Sequence, residues 1–412
     1  MASISPEELA RELLRLSLDG TAWPDEAVRM LARAADSEAA NKALFTGLVE
    51  PLADRFDPLL CDVYAREFSR VLALVCEDLD ADDLVARYRR VRAPRTFEAP
   101  PQSVHTVLVL SRVTLGADVA ITSVMLDAAK QRFPGARVVF AGPRKCYELF
   151  AADPRIEHLE IPYPRSGALR DRLAAWPLVK EAAARAGTIV IDPDSRLTQL
   201  GLLPVCDEEN YYFFESRAYA SGGSEPLGEL VKRWVRETFG VEDARAYIAP
   251  LPTTEIPPPG IAVSLGVGEN PAKRVRGPFE AELLARLAAT GLPLVIDRGA
   301  GGEEAARVDR ALRQARVPSG VVRILDGAFA PFAATIAASR LFVGYDSAGG
   351  HVAAACGTPL VSVFAGFPCG RMYERWRPSG KGPIRVVRVD EPDPQKVLAE
   401  TFAALEYITG KS

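Results

Sequence analysis

Residues 341–364 read LFVGYDSAGGHVAAACGTPLVSVF. The apolar runs at its two ends, 341–343 and 360–364, are typical of buried strands, and the small-residue stretch between them predicts a helix that begins at a pair of glycines. Such a junction leaves backbone N–H groups uncovered at the positive end of a helix dipole. The stretch therefore predicts α/β structure with a place for a phosphate.

Strand and helix alternate in the same way over most of the chain. This pattern predicts two doubly wound parallel sheets that face a cleft, joined near a proline cluster at 250–260. The final helix, predicted over 394–408, could either cap the second sheet or cross back to the first. The remaining predicted strands are 105–110, 136–140, 156–161, 188–191, 261–265, 294–297, 321–325 and 384–389, and the clearest helices are 119–133, 279–290 and 303–316.

The first 92 residues carry helix signals and almost no strand signals. Ser5, Pro6 and Glu8 form a capping box with proline at the first helical position, and the apolar stripes that follow predict a bundle of four or five helices. A proline-rich stretch at 92–103 is typical of a linker. We therefore predict three domains: a helical domain over 1–100, an α/β domain over 101–255 and a second α/β domain over 256–412.

Composition excludes several classes of function. A formal net charge of −4 argues against a nucleic-acid-binding protein, whose surface would be strongly basic. The three histidines lie too far apart in sequence to share a helix face, which argues against a zinc or haem site. Six cysteines without a C-x-x-C pair suit a reducing cytosol. We expect no transmembrane segment and no signal peptide.

Two further loops that follow predicted strands carry candidate residues. In the first, at 111–118, Asp118 could face the cleft and accept a proton from a hydroxyl. The local sequence alone favours the alternative that Asp118 only caps a helix. In the second, at 266–278, glycines precede the three cations Lys273, Arg274 and Arg276, which could neutralise a diphosphate. The alternative there is a solvated basic turn.

The glycine-rich junction at 346–351 also has two interpretations. One is a phosphate-binding loop. The other is a strand–turn–helix connection in which the glycines serve only packing and His351 is a satisfied residue at the start of a helix.

The longer string around that junction resembles a known family. Residues 346–359 follow the pattern D-S-x-x-x-H-x-A-A-A-x-G-T-P, which resembles the signature of glycosyltransferase family 9, the ADP-heptose heptosyltransferases that build bacterial lipopolysaccharide cores. Residues 115–122 are similar to the Leu-Gly-Asp of that family's first loop. The resemblance covers about residues 104–405.

The resemblance implies a GT-B fold, in which the first α/β domain binds the acceptor and the second binds a nucleotide-sugar donor. Transfer would be inverting, and it would need neither a metal nor a cofactor. Asp118 matches the general base, and Lys273 matches a lysine that contacts donor phosphate. The donor-binding residues that we predict are Ser264, Gly266, Lys273, Arg274, Asp346, Ser347, Gly349, Gly350 and His351.

The chain departs from the family pattern at two positions. Ala117 separates the glycine from Asp118, and the tryptophan that often follows the family lysine is absent, so Arg274 could act in place of Lys273.

An acceptor surface is predicted from the first α/β domain. Arg112, Thr114, Arg196 and Arg217 are its candidate residues, and the aromatic pair 211–212 could stack on a sugar. The favoured alternative places these aromatic side chains in the core and the arginines on a solvated rim.

These observations predict a cytoplasmic glycosyltransferase that uses ADP-heptose and that could be peripheral at the inner face of the membrane. Its acceptor could be a glycan, a natural product or a protein, and the helical domain could serve self-association, acceptor capture or docking at a membrane surface. Two alternatives are a catalytically silent nucleotide-sugar binding protein and another GT-B enzyme such as a sugar-nucleotide epimerase.

Overall fold

The N-terminal part of the computed structural model is helical. The structure describes residues 4–164, 166–252, 260–268, 270–299, 301–318 and 320–410. The predicted capping box is present, since Ser5 Oγ accepts the N–H of Glu8 and the Glu8 carboxylate accepts the N–H of Ser5. A π-helical turn over Phe45–Val49 joins two of the helices without a break. The helices are α1 (Pro6–Leu18), α2 (Asp25–Arg33), α3 (Glu38–Leu44), α4 (Glu50–Ala53), α5 (Pro58–Val75) and α6 (Ala81–Val91).

A five-stranded parallel sheet follows, in the order β3-β2-β1-β4-β5. A π-helical turn over Asp118–Thr122 joins α7 to α8, so the helix after the first strand is continuous from residue 115 to 132. The elements are β1 (Thr106–Leu110), α7 (Leu115–Ala117), α8 (Ser123–Arg132), β2 (Arg137–Gly142), α9 (Arg144–Tyr147), β3 (Ile156–Glu160), α10 (Leu169–Leu173), α11 (Ala175–Ala183), β4 (Thr188–Asp192), β5 (Tyr211–Phe213) and α12 (Leu227–Phe239).

The second sheet has six parallel strands in the order β11-β10-β9-β6-β7-β8. Counted from β6, this is the strand order of a dinucleotide-binding fold. The elements are β6 (Ile261–Ser264), α13 (Phe279–Ala288), β7 (Leu294–Asp297), α14 (Gly302–Ala315), β8 (Val322–Leu325), α15 (Phe329–Ala338), β9 (Leu341–Tyr345), α16 (Ala348–Cys356), β10 (Leu360–Phe364), α17 (Gly370–Trp376), β11 (Ile384–Arg388) and α18 (Pro394–Thr409).

Three apolar cores hold these layers together. The first is shared by the N-terminal helices and one face of the five-stranded sheet, so that Phe68 and Leu110 belong to the same cluster. The second covers the other face of that sheet and continues into α15 and α16 of the second domain. The third lies on the far face of the six-stranded sheet. Burial of apolar surface therefore ties the helical segment to the first sheet and the first α/β domain to the second.

Most predicted elements are present, with ends shifted by one or two residues. The final helix packs in the third core through Val397, Leu398 and Leu405, so it caps the second sheet. The helix predicted from residue 119 begins at Leu115 instead, because the loop after β1 is shorter than the sequence indicated. The proline cluster falls partly on residues 253–259, outside the described residues. Among the described helices, none combines the length and the apolar character needed to span a membrane.

Candidate functional site

The candidate loops converge because of the strand order. In an open parallel sheet, ligands bind beyond the carboxyl ends of the strands, where the strand order reverses direction. That reversal lies between β1 and β4 in the first sheet and between β6 and β9 in the second. The loops after these four strands, at 111–114, 193–199, 265–278 and 346–347, therefore line the two facing edges.

The loop after β9 brings a lysine to the start of α16. Lys273 Nζ lies 2.5 Å from Asp346 Oδ2 and 3.5 Å from the Asp346 carbonyl oxygen. Ser347 precedes the first residue of α16 and makes no side-chain cap, and its Oγ is buried without a hydrogen-bond partner among the described residues. A cation, a free hydroxyl and the positive end of a nine-residue helix therefore meet at one place, which suits an anion.

The two glycines at this junction have different surroundings. A Cβ on Gly349 would lie 2.5 Å from Phe342 Cζ, so close packing of helix on strand requires glycine there. A Cβ on Gly350 would make only ordinary contact with Pro378, at 3.4 Å. Packing thus accounts for Gly349, as one of the two interpretations of the sequence held, and it does not account for Gly350.

His351 lies in the first turn of α16 and is almost fully buried. Burial lowers its pKa, although the charge of Asp346 acts in the opposite direction, and the net shift favours the neutral ring. The ring meets Trp376 edge to face at 5.9 Å between centroids, and the guanidinium of Arg112 lies 5.7 Å from that same indole. Trp376 therefore connects candidate residues of both α/β domains.

The cavity behind His351 has a volume of about 10 Å³, which is room for about one water molecule. The two domains are thus closed on each other at this point.

The loop after β6 separates the two candidate cations. Lys273 faces Asp346, whereas Arg274 Nε lies 3.1 Å from Glu280 Oε1 and points toward α13. The structure therefore brings Lys273, and not Arg274, to the start of α16. Glu269, in the same loop, lies outside the described residues.

Two small residues, Ser264 and Gly266, lie where the chain leaves β6 and enters this loop. Ser264 is buried at the end of β6, with its Oγ 3.5 Å from Asp297 Oδ2. A Cβ on Gly266 would come within 2.3 Å of Glu304 Oε1, so a side chain at this position would require the Glu304 carboxylate to move.

Asp118 lies beneath the first loop. Its side chain is 0% exposed, and its carboxylate accepts hydrogen bonds from Ser111 Oγ, the Arg112 N–H and Thr122 Oγ1, each at 2.7 Å. Burial raises its pKa, against the effect of these donors. In this conformation Asp118 organises the loop and has no surface facing the cleft. Its role as general base remains a prediction.

Arg112 and Thr114 belong to the same loop. Arg112 Nη1 donates to the Pro193 carbonyl oxygen at 2.6 Å and to Ser216 Oγ at 2.7 Å, so the side chain spans the loops after β1 and β4. Thr114 is exposed at the edge of the cleft. Arg112 is thus positioned mainly by protein contacts, and Thr114 is accessible to an acceptor.

The other two candidate arginines differ in burial. Arg217 is 4% exposed and makes two hydrogen bonds to Asp194, at 2.9 and 3.0 Å. Arg196 stacks over the ring of Phe45 at 5.6 Å, and its Nη1 is buried without a hydrogen-bond partner among the described residues. Arg217 is therefore engaged within the protein, and neither arginine lies on a solvated rim. The aromatic pair 211–212 is buried in the core, which is the alternative that the sequence favoured.

Sequence reasoning missed a contribution from the helical segment. The chain after α4 enters the space between the α/β domains, where the Phe56 carbonyl oxygen accepts a hydrogen bond from Arg371 Nη1 at 2.8 Å and the Phe56 ring meets Trp376 at 6.4 Å. Asp54 lies two residues before Phe56. The D-P pair at 57–58 indicates a helix break in the sequence. The position of this connecting segment between the two α/β domains depends on tertiary packing.

Comparisons with known proteins agree with this fold. Residues 269–392 match the model of glycosyltransferase family 9 (heptosyltransferase), which confirms the resemblance seen in the sequence motifs. No curated protein matches the chain.

Solved structures show the same two-domain GT-B fold. The glycosyltransferase family 9 protein of Veillonella parvula superposes with a TM-score of 0.56 at 15% identity, over 77% of this chain and all of that one. The heptosyltransferase WaaC of E. coli, solved with ADP, gives a TM-score of 0.53 at 17% identity, over 74% of this chain and all of that one. The family match, together with this shared fold, supports glycosyltransferase activity.

Proposed function

We propose that the protein is an inverting, metal-independent glycosyltransferase that moves a sugar from a nucleotide-diphosphate donor to an acceptor hydroxyl. The observation that carries the proposal is the position of Lys273 at the start of α16, 2.5 Å from Asp346, within the segment that matches the family model. ADP-heptose is the donor that we propose, because family 9 is a heptosyltransferase family and a structural relative was solved with ADP.

The main requirement of the transfer reaction is stabilisation of the negative charge that develops on the leaving group. As the bond between the anomeric carbon and the diphosphate breaks, the leaving diphosphate gains negative charge. Lys273, Ser347 Oγ and the backbone N–H groups that open α16 are fixed before the reaction, so they stabilise this charge more than they stabilise the bound donor. Before the donor binds, the Asp346 carboxylate holds the Lys273 ammonium in place by an ion pair. The donor phosphate then becomes the partner of the ammonium. Attack by the acceptor from the opposite face inverts the anomeric centre.

On the acceptor side, we propose that the exposed Thr114 and the half-buried Arg112 and Arg196 border the bound acceptor. Its hydroxyl could belong to a glycan, a natural product or a protein. The six unpaired cysteines support a location in a reducing compartment such as the cytoplasm.

The test begins with donor binding. ADP-, GDP- and UDP-linked sugars are titrated into the purified protein by calorimetry, and we expect ADP-heptose to bind most tightly. Lys273→Ala should weaken donor binding and lower turnover by about 100- to 1,000-fold, the effect typical of removing one donor to a developing charge. Lys381→Ala is the matched control, because Lys381 is exposed beside the opposite end of α16 and should leave both unchanged.

Product analysis separates the alternatives. Release of nucleoside diphosphate together with an inverted glycoside, undiminished by EDTA, supports the proposal. Binding without transfer to any acceptor would instead indicate a silent nucleotide-sugar binding protein, and an isomerised sugar with no acceptor would indicate an epimerase. Failure to bind any nucleotide-sugar would overturn the assignment.

A further inference from the structure

Asp54, at the end of the helical segment, lies beside the start of α17, where its carbonyl oxygen is 3.8 Å from Cys369 Sγ. It follows the last residue of α4, and the carbonyl oxygens of the next two residues contact Cys369, the N-cap of α17, and Arg371 in its first turn. The Phe56 ring packs on Trp376, which also contacts His351. The helical segment thus anchors Asp54 beside the donor domain.

The Asp54 carboxylate is half-buried and makes no hydrogen bond or ion pair with any residue that the structure describes. Arg196, Lys273 and Arg112 are the cations close enough to influence it, and they come from the loops after β4, β6 and β1. Asp54 is therefore a carboxylate without a partner at the point where the acceptor-side and donor-side loops meet. Asp118, by contrast, has no exposed surface and three hydrogen-bond donors.

We propose that Asp54, supplied by the helical segment, is the general base of the transfer. The inference rests on the proposed function. The acceptor oxygen attacks the anomeric carbon and forms the new C–O bond, the proton of the acceptor hydroxyl passes to a carboxylate oxygen of Asp54, and the electron pair of the breaking C–O bond leaves with the nucleoside diphosphate. Lys273 stabilises that leaving group on the other side of the reacting carbon.

The surroundings of Asp54 suit this role. Burial is the main cause that raises its pKa to about 6, and Glu50, one helical turn earlier, adds to the effect, while Arg196, Lys273 and Arg112 act against it. A carboxylate whose pKa is close to the pH at which the enzyme operates is largely ionised, and it still has enough proton affinity to remove a proton from the acceptor hydroxyl.

Glu50 and Arg196 shift the pKa of Asp54 in opposite directions, and neither belongs to the donor site. Glu50→Gln removes the negative charge that raises the pKa of Asp54, so the acidic limb of the kcat profile should move to lower pH. Arg196→Gln removes a positive charge that lowers it, so the limb should move to higher pH. Neither residue is among the main influences on the pKa of Asp118, which are burial and its hydrogen-bond donors.

The decisive experiment compares Asp54→Asn with Asp118→Asn and wild type. We expect Asp54→Asn to lower kcat by about 100- to 10,000-fold, with donor affinity within about threefold of wild type and no loss in melting temperature. Asp243→Asn, at an exposed site, controls for the loss of one charge and should leave kcat unchanged.

The opposite outcomes are distinct. Retained or increased turnover in Asp54→Asn, or an acidic limb unmoved by Glu50→Gln and Arg196→Gln, would overturn the assignment of Asp54. Loss of turnover in Asp118→Asn alone would return the role to Asp118. Absence of transfer by the wild-type protein with every donor overturns the proposed function itself, and the role of Asp54 with it.

Discussion

Gly116 lies directly against His351, across the boundary between the two α/β domains. A Cβ on Gly116 would stand 3.1 Å from His351 Cδ2 and 3.2 Å from the Cα of Ala348. Helix α7, which follows the first strand of the first α/β domain, therefore packs directly against the first turn of α16, where we expect the donor diphosphate. A side chain at this position would press on both neighbours, which would have to give by a few tenths of an ångström even for a Cβ.

Substitution at Gly116 should impair catalysis more than folding. In Gly116→Val the added carbons meet the backbone of Ala348, which cannot rotate away, so the starts of α7 and α16 must move apart. We expect kcat/KM to fall at least tenfold, because a misplacement of about 1 Å between reacting groups can cost about 100-fold. Melting temperature should change little, since most of each sheet's core lies away from this contact. Gly135→Ala is the control, because its Cβ would meet open space. Unchanged kcat/KM in Gly116→Val would contradict the closed arrangement.

The buried pair of Asp194 and Arg217 should contribute to stability rather than to acceptor binding. Arg217 and Arg112 hold the pKa of Asp194 below its usual value although burial opposes them. Arg217→Met leaves that carboxylate buried with its main partner missing, so we expect a loss of about 3–5 kcal/mol in the free energy of unfolding. Asp194→Asn together with Arg217→Met should cost less than the two single changes added. Urea unfolding measures all three. A stable Arg217→Met variant with a raised KM for acceptor would restore the acceptor role that the sequence suggested.

Much of this architecture could be predicted from the sequence. The apolar strands of both sheets are bounded by glycine and proline, so their positions follow from local pattern, and two motifs predicted which loops face the cleft. β5 was missed because a three-residue strand carries no periodic signal.

Side-chain direction was harder to predict. In a helix each residue turns the side-chain direction by about 100°, so a single residue such as Ala117 between the glycine and Asp118 changes where the carboxylate points, and a sequence motif does not give that direction. The position of Asp54 depends on contacts between residues more than 300 apart in sequence, which local pattern does not encode.

A second buried carboxylate should make stability depend on pH. Asp192 accepts hydrogen bonds from Thr198 Oγ1 and Tyr211 Oη at 2.6 Å and from the Ser195 N–H at 2.7 Å, yet burial raises its pKa to about 6. Between about pH 4 and 6 the native state keeps a proton that the unfolded chain has released, so this group's contribution to stability falls as pH rises through that window and is constant above it.

Asp192→Asn should therefore flatten the pH profile. We expect the change in unfolding free energy between about pH 4 and 7 to differ from that of wild type by about 3 kcal/mol at most, measured by urea titration at several pH values. The two proteins are compared by the slope of unfolding free energy against pH. The absolute free energy is not compared, because replacing the carboxylate by an amide weakens its hydrogen bonds and so alters stability at every pH. Identical slopes in the two proteins would show that Asp192 does not titrate in this range.

Removal of the helical segment should prevent the first sheet from folding in soluble form. Helices α1 to α6 cover one face of that sheet together with α10 and α11, and their side chains share one core with Leu108, Leu110, Val190 and Phe213. Deletion of residues 1–92 would expose this face, and a large exposed apolar surface leads to aggregation. We expect an insoluble product, or a soluble one that binds ANS strongly and unfolds without a cooperative transition, and co-expression of residues 1–92 should rescue solubility. A truncated protein that unfolds cooperatively with a normal melting temperature would instead show that the helical segment is an independent domain docked onto a finished sheet.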